Sequence, residues 1–231
     1  MKKEKRKIRK MFNSIAKNYD LLNHIMTFGL DYYWRKKAVL EFQNNPKEIL
    51  DVATGTGDFA ISAYYNLENV KITGIDISEE MLKKGEKKIL KKKLNHIINL
   101  QIGDAESLSF NDNTFDGITV GFGVRNFEDL EKGLSELYRT LKKGGKIVIL
   151  EPSNPSYFPM KQIHYWYFNF ITPALGKLIS GDNQAYSYLS KSVNNFPKGK
   201  YFLNNMKKIG FLELKHIKLS FGVVDMYTAI K

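Results

Sequence analysis

The sequence predicts an α/β fold: a right-handed, doubly wound parallel sheet finished by two antiparallel strands. Three observations predict it. Glu48 to Ala60 (EILDVATGTGDFA) reads as a buried strand, a glycine turn and a helix start. Apolar runs then alternate with helical stretches as far as Glu151, the pattern of a parallel sheet with crossover helices. Beyond a long interruption, Phe211 to Lys218 and Gly222 to Ile230 alternate loosely and read as an antiparallel pair.

Residues 1–45 precede the first strand and read as a helical cap. A basic run, Lys2 to Lys10, opens it, and Met11 to Arg35 has near-helical apolar spacing with breaks around Asp20 and Gly29. Its dense aromatics, Tyr19, Phe28, Tyr32, Tyr33 and Trp34, suit a cap over the sheet edge or a wall of an active-site mouth. His24 has no obvious metal partners and reads as structural. Ile49, Leu50 and Val52 make the first strand. Gly55 and Gly57 permit backbone angles and a ligand approach that a β-carbon would block. Val70 to Asp76 is the second strand, Ser78 to Lys93 a helix with Ser78 at its cap, and Ile97 to Gln101 the third strand. Thr114 to Val120 is the fourth, Asp129 to Leu141 a helix closed by Lys142-Lys143-Gly144-Gly145, and Lys146 to Glu151 the fifth.

Residues 152–198 interrupt the pattern. Pro152, Pro155, Pro159 and Pro173 punctuate a run rich in aromatics, among them Tyr165, Trp166, Tyr167, Phe168 and Phe170. It reads as an aromatic helical insertion over the active site, either packed on itself or serving a greasy substrate. No repeat or low-complexity linker appears, so residues 1–231 read as a single domain.

Ligands of open α/β sheets sit at the carboxyl ends of the strands. Gly55 to Ala60 fits the G-x-G-x-x-G/A dinucleotide fingerprint, a weak signal alone. The acids decide the matter. Asp51 and Asp58 on both sides of the turn would repel a pyrophosphate, but would attract S-adenosylmethionine, which carries a sulfonium and an ammonium and no phosphate. Asp76, nineteen residues after Gly57, can accept both hydroxyls of a ribose. Asp104 can accept an adenine amino group while the Ala105 N–H donates to the ring.

Composition bounds the rest. The chain has 231 residues, no cysteine and a net charge of +12. Disulfides, thiolate zinc sites and cysteine nucleophiles are excluded. No apolar run reaches the ~18 residues of a spanning helix, and the charged start lacks the apolar region of a secretory signal. The Lys83 to Lys93 run reads as solvated helix surface. Lys2 to Lys10 suits solvent or an anionic lipid surface.

Three segments carry a family resemblance: Tyr19 to Trp34 (YDLLNHIMTFGLDYYW), Leu50 to Phe59 (LDVATGTGDF), and Phe115 to Glu151 with GFGVRNF and YRTLKKGGKIVILE. In order and over nearly the whole chain, the sequence resembles the quinone-biosynthesis C-methyltransferases that act on demethylmenaquinol and the related ubiquinone precursor. The resemblance implies a seven-stranded Rossmann-like methyltransferase sheet ending in an antiparallel hairpin. It implies S-adenosylmethionine contacts at Thr56, Asp76, Asp104 and Ala105, beside those expected of Asp51, Gly55 and Gly57. Leu22 stands where the family usually has methionine, Asp31 where histidine is common, and Gly121 where a contacting serine is often found, so Gly121 would contribute backbone. The C-terminal strands match ubiquinone-type members poorly, which favours demethylmenaquinol.

Methyl transfer to carbon needs an electron-rich ring carbon, and a hydroquinone losing a phenolic proton supplies one. Arg125 is the expected catalytic cation for the developing oxyanion, with Asn126 orienting it. His24, Tyr186, Asp58 or a water could accept the proton. The expected partners are a lipophilic prenylated hydroquinone, a peripheral membrane surface and a second copy in a homodimer, with no metal and no nucleic acid. The expected location is the cytoplasm, at the inner face of the membrane. Two rivals remain. A nucleic-acid methyltransferase fits the charge, but no Asn/Asp-Pro-Pro-aromatic segment follows the fourth strand. A non-catalytic subunit of a quinone-biosynthesis complex would not need an intact donor site.

Overall fold

The computed structural model describes residues 3–43, 45–172 and 183–231. Helices α1 (Lys3–Ile15), α2 (Tyr19–Met26) and α3 (Leu30–Val39) form the cap. The sheet then builds as β1 (Glu48–Val52), α4 (Asp58–Asn66), β2 (Lys71–Asp76), α5 (Glu79–Lys91), β3 (Ile98–Ile102), β4 (Phe115–Gly121), α6 (Leu130–Thr140) and β5 (Leu141–Pro152). The interruption carries α7 (Met160–Trp166), a π-helical turn Tyr167–Ile171 and α8 (Asn183–Asn195). Then α9 (Lys200–Ile209), β6 (Leu212–Leu219) and β7 (Val224–Ile230) close the chain. Pro173 and the Tyr186 side chain lie outside the described residues.

The seven strands run in the order β3-β2-β1-β4-β5-β7-β6. The first five are parallel, and β7 inserts antiparallel between β5 and β6. This is the expected doubly wound sheet with an antiparallel C-terminal hairpin. Successive residues of β1 serve opposite faces: Ile49 packs with Trp34, Phe59 and Val148, while Leu50 packs with Ile118, Leu134 and Ile149. Helices on both faces explain why these strands are apolar throughout rather than alternating.

Two helix starts follow their local chemistry. The Ser78 hydroxyl accepts from the Met81 N–H at 3.3 Å, and the Asp129 carboxylate from the Lys132 N–H at 3.0 Å. The Lys142–Gly145 stretch departs from expectation. It does not close a helix: α6 ends at Thr140, Leu141 is already extended, and the stretch runs on into β5. The reason is edge pairing, since the Gly144 N–H donates to the Lys231 carbonyl and the Lys231 N–H to the Gly145 carbonyl. Residue 144 takes φ +74°, which glycine tolerates.

Candidate functional site

The carboxyl ends of β1, β2, β3 and β4 bring their loops to one cavity. Gly55, Asp76, Asp104, Ala105, Gly121 and Asn126 wall it. From the cap, Lys5, Ile8 and Phe12 on α1, with Tyr19, complete it. Asp76 is fixed by the turn: its carboxylate accepts from the Gly55 N–H at 2.9 Å and the Ser78 N–H at 2.8 Å. Burial raises this carboxyl above its ordinary value, against the N–H donors of Ser78, Gly55 and Ile77. A carboxylate has about four acceptor positions, so acceptor capacity remains beside these donors for a ribose hydroxyl. Gly55 sits at φ +56°, and a β-carbon there would lie 3.9 Å from the Tyr19 ring, inside the cradle between turn and cap. Lys5 meets both oxygens of Asp104, at 2.9 and 2.7 Å, and Glu106 at 2.9 Å. The donor set is acidic, phosphate-averse and cradle-shaped, and it fits a cationic nucleoside.

The other expected donor residues lie around this cavity rather than in its wall. Asp51 is fully buried, and its carboxylate accepts from the hydroxyls of Thr54 at 2.6 Å and Thr119 at 2.7 Å. Burial pushes its carboxyl up to about 6 despite those two donors. The Thr56 hydroxyl donates to Asp20 at 2.5 Å and accepts from Lys88 at 3.0 Å. Gly57, at φ +82°, starts α4 against Ile89.

A second cavity adjoins the first, and Tyr19 and Phe122 wall both. Most of its wall is apolar and aromatic, from Met26 and Trp34 in the cap and from Tyr167 and Phe168 in the insertion. The π-helical turn joins the cap, with the Tyr167 hydroxyl donating to the Met26 carbonyl at 2.8 Å, and Tyr167 and Phe168 line this space. Set into the greasy wall are Asp31, Arg35 and Arg125. The Arg125 guanidinium donates through Nη1 to Glu151 at 3.1 Å and to the Phe122 carbonyl, and its buried Nε meets no partner among the described residues. Burial raises the Glu151 carboxyl, and Arg125 opposes that rise. Asn126 accepts from the Tyr188 hydroxyl at 3.0 Å, and it walls the donor cavity rather than this one.

Sequence reasoning missed Lys5, Arg35 and Glu151. Glu151 had a legible signal: it is one more acid near a strand tip, like Asp51 and Asp76. His24, Asp31 and Asp58 bring ligand-type atoms within 4.8 Å of one another. Cations already hold the two acids: Arg35 lies 2.5 Å from Asp31 and Lys88 lies 2.6 Å from Asp58.

Fold and donor cavity together define the class: a Rossmann-like methyltransferase that uses S-adenosylmethionine. The chain belongs to the ubiE/COQ5 methyltransferase family, whose family model matches residues 1–231. A demethylmenaquinone methyltransferase of Bacteroides fragilis is 48% identical over 99% of this chain and 94% of its own length. A ubiquinone/menaquinone biosynthesis C-methyltransferase of Geotalea daltonii is 42% identical, covering 97% and 96%. Among solved structures, a putative S-adenosyl-L-methionine-dependent methyltransferase from Methanococcus maripaludis shares the fold with a TM-score of 0.71 at 20% identity, over 95% of this chain and 94% of that one.

Proposed function

We propose that the protein methylates a ring carbon of a prenylated hydroquinone, converting demethylmenaquinol to menaquinol. The carrying observation is Arg125: a guanidinium set in an apolar, aromatic cavity that shares Tyr19 and Phe122 with the donor cavity. The Bacteroides relative, similar over almost the full chain, supports the choice of substrate. The Geotalea relative's name covers ubiquinone as well, so the ubiquinone precursor is the second reading.

S-adenosylmethionine, when bound, supplies an activated methyl on a sulfonium. In this reading Asp76 takes the ribose hydroxyls, Asp104 and the Ala105 N–H take the adenine, and Gly55 and Gly121 offer backbone. Asp51, Thr56 and Gly57 hold the turn in shape from behind. The protein's task is to position two reactants and exclude water. Arg125 holds the acceptor's oxygen as it becomes an oxyanion, with Glu151 fixing the guanidinium. Asn126 links the donor wall to α8 through Tyr188.

Among the described residues no helix is long and apolar enough to cross a membrane. The basic, aromatic exterior suits peripheral contact with anionic lipid, where a lipophilic acceptor would be met.

The test is turnover with isotopically labelled methyl donor on short-tailed demethylmenaquinol and on the ubiquinone precursor, with product mass spectrometry. One added methyl on the naphthoquinol ring is expected. Arg125→Lys is expected to lose about 100-fold in kcat, because an ammonium cannot reproduce the guanidinium's fixed donors. Product from the ubiquinone precursor alone would replace the substrate assignment, and full turnover by Arg125→Lys would remove the role given to Arg125.

A further inference from the structure

Turning a ring carbon of a hydroquinone into a nucleophile releases a hydroxyl proton. The O–H bond pair moves into the ring, the ring carbon bonds the methyl, and the C–S pair returns to sulfur. The dienone so formed recovers its hydroxyl when the ring proton shifts to oxygen. One proton is left over, and a base in the acceptor cavity has to take it.

The expected acceptors do not serve. His24 and Asp58 do not line this cavity. The two ring nitrogens of His24 already face Asp31 and Tyr32, each at 2.9 Å, and Asp58 holds Lys88 at 2.6 Å. In the wall itself, Arg35 and Arg125 are cations with no lone pair to offer. Burial raises the Tyr19 and Tyr167 phenols above their ordinary value, so both stay protonated near neutral pH. Asp31 accepts from the Thr27 hydroxyl at 2.9 Å and from Arg35 at 2.5 Å. Arg35, Thr27 and His24 outweigh burial and hold its carboxyl below the ordinary value, which makes it a weak base. His164 is different. It lies on α7, is half-buried, and lines the same cavity as Arg125. Its ring stacks on Phe168 at 5.4 Å with the planes 17° apart, which sets the plane of the imidazole without using its nitrogens. Neither ring nitrogen has a hydrogen-bond partner among the described residues. Burial, and then the positive charge of the half-buried Lys198, work against an imidazolium, so the ring is neutral at pH 7 and keeps a free lone pair.

We infer that His164 is the catalytic base of the acceptor cavity, taking the hydroquinone's hydroxyl proton on a ring nitrogen while Arg125 holds the oxygen. The inference rests on the hydroquinone reading above. The two residues divide the work by charge. A guanidinium stabilises an oxyanion and cannot take a proton, whereas a neutral imidazole can. The imidazolium so formed is disfavoured by the same burial and the same lysine, so it releases its proton readily. The half-exposed ring gives that proton to solvent, and the base is ready for the next turnover.

A carboxamide in place of the imidazole can still accept a hydrogen bond from the hydroxyl and cannot take its proton. His164→Gln is expected to lose about 100-fold in kcat on short-tailed demethylmenaquinol. Acceptor KM, and the donor dissociation constant read by titration calorimetry, should stay within about threefold. Wild-type kcat/KM for the acceptor should fall toward acid with a midpoint below 6.5, the ordinary value of histidine, and His164→Gln should lack that limb. NMR titration of the His164 ring in the wild type should give the same midpoint. Full kcat in His164→Gln, or a loss confined to KM or donor affinity, would overturn the assignment. So would an imidazole midpoint more than about one unit from the limb, a comparison that holds even where the variant does not fold. No product from the wild type on this hydroquinone overturns the substrate reading and the base with it. Product from the wild type and an equal kcat in His164→Gln overturn the base alone.

Discussion

Asp51 holds a carboxylate where no solvent reaches, with the two hydroxyls of Thr54 and Thr119 as its side-chain donors. Burial dominates, and the folded carboxyl titrates at about 6 rather than 3.8. Between about pH 4 and 6 the folded protein keeps a proton that the unfolded chain has released. Stability contributed by Asp51 is therefore full below about pH 4 and falls as pH rises through that window. The shift corresponds to about 3 kcal/mol. Asp76 and Glu151, also raised by burial, slope the same way, and Asp31 slopes the opposite way. Comparison with Asp51→Asn cancels these common contributions. Urea unfolding at pH 4.5 and 7 should show the wild type losing about 2 kcal/mol relative to Asp51→Asn. Parallel pH dependence in the two proteins would mean that Asp51 is not desolvated as the geometry requires. Such a residue stiffens the glycine turn from below at some cost in stability, an arrangement common where a site is preorganised.

At the scale of elements, α1 is the part whose place was least legible. Its sequence, a lysine-rich run with Ile8 and Phe12, reads as solvated helix or as lipid contact. In the fold, Ile8 is buried, Lys5 meets Asp104 and Glu106, and the Asn13 Oδ1 accepts from the Ser78 hydroxyl at 2.6 Å. The element thus roofs the donor cavity, and its apolar residues line it. A bound donor would add contacts to this roof and slow its opening. Trypsin, which cleaves after the many lysines and arginines here, should cut within residues 3–17 at least about tenfold more slowly with saturating S-adenosylhomocysteine. Equal rates by mass spectrometry would place the donor elsewhere. The strands β1 to β5 were legible because parallel strands buried on both faces must be apolar runs. Lys142–Gly145 was not, because its glycines mimic a helix stop and its pairing partner is Lys231, far away in sequence. The His24–Asp31 pair escaped for a related reason. The two residues are seven apart across the break at Gly29 (φ +74°), and only the fold-back of α3 on α2 brings them to 2.9 Å.

For the molecule as a whole, a net charge of +12 and an apolar face lie on one chain. Phe28, at the α2–α3 corner, is 80% exposed, and Trp166 and Phe170 are 65% and 56% exposed. These groups are not scattered. Phe28 packs on Tyr167 at 5.7 Å, and the Tyr167 hydroxyl donates to the Met26 carbonyl at 2.8 Å, which ties cap to insertion. Met26 and Tyr167 both line the acceptor cavity, so the exposed aromatics stand beside its walls. Aromatic side chains favour the headgroup level of a bilayer, and each nearby lysine or arginine adds about 1 kcal/mol on anionic lipid. A prenyl tail could then stay in the lipid while its ring enters the cavity. Phe28→Glu combined with Trp166→Glu should cut sedimentation with anionic vesicles at least about fivefold. Turnover of long-tailed demethylmenaquinol held in those vesicles should fall about tenfold. Turnover of the short-tailed form in detergent should not change, because neither residue lines the donor or the acceptor cavity. Equal losses in both assays would make these aromatics part of the packing around the site, and undiminished vesicle turnover would remove the lipid-contact role given to this face.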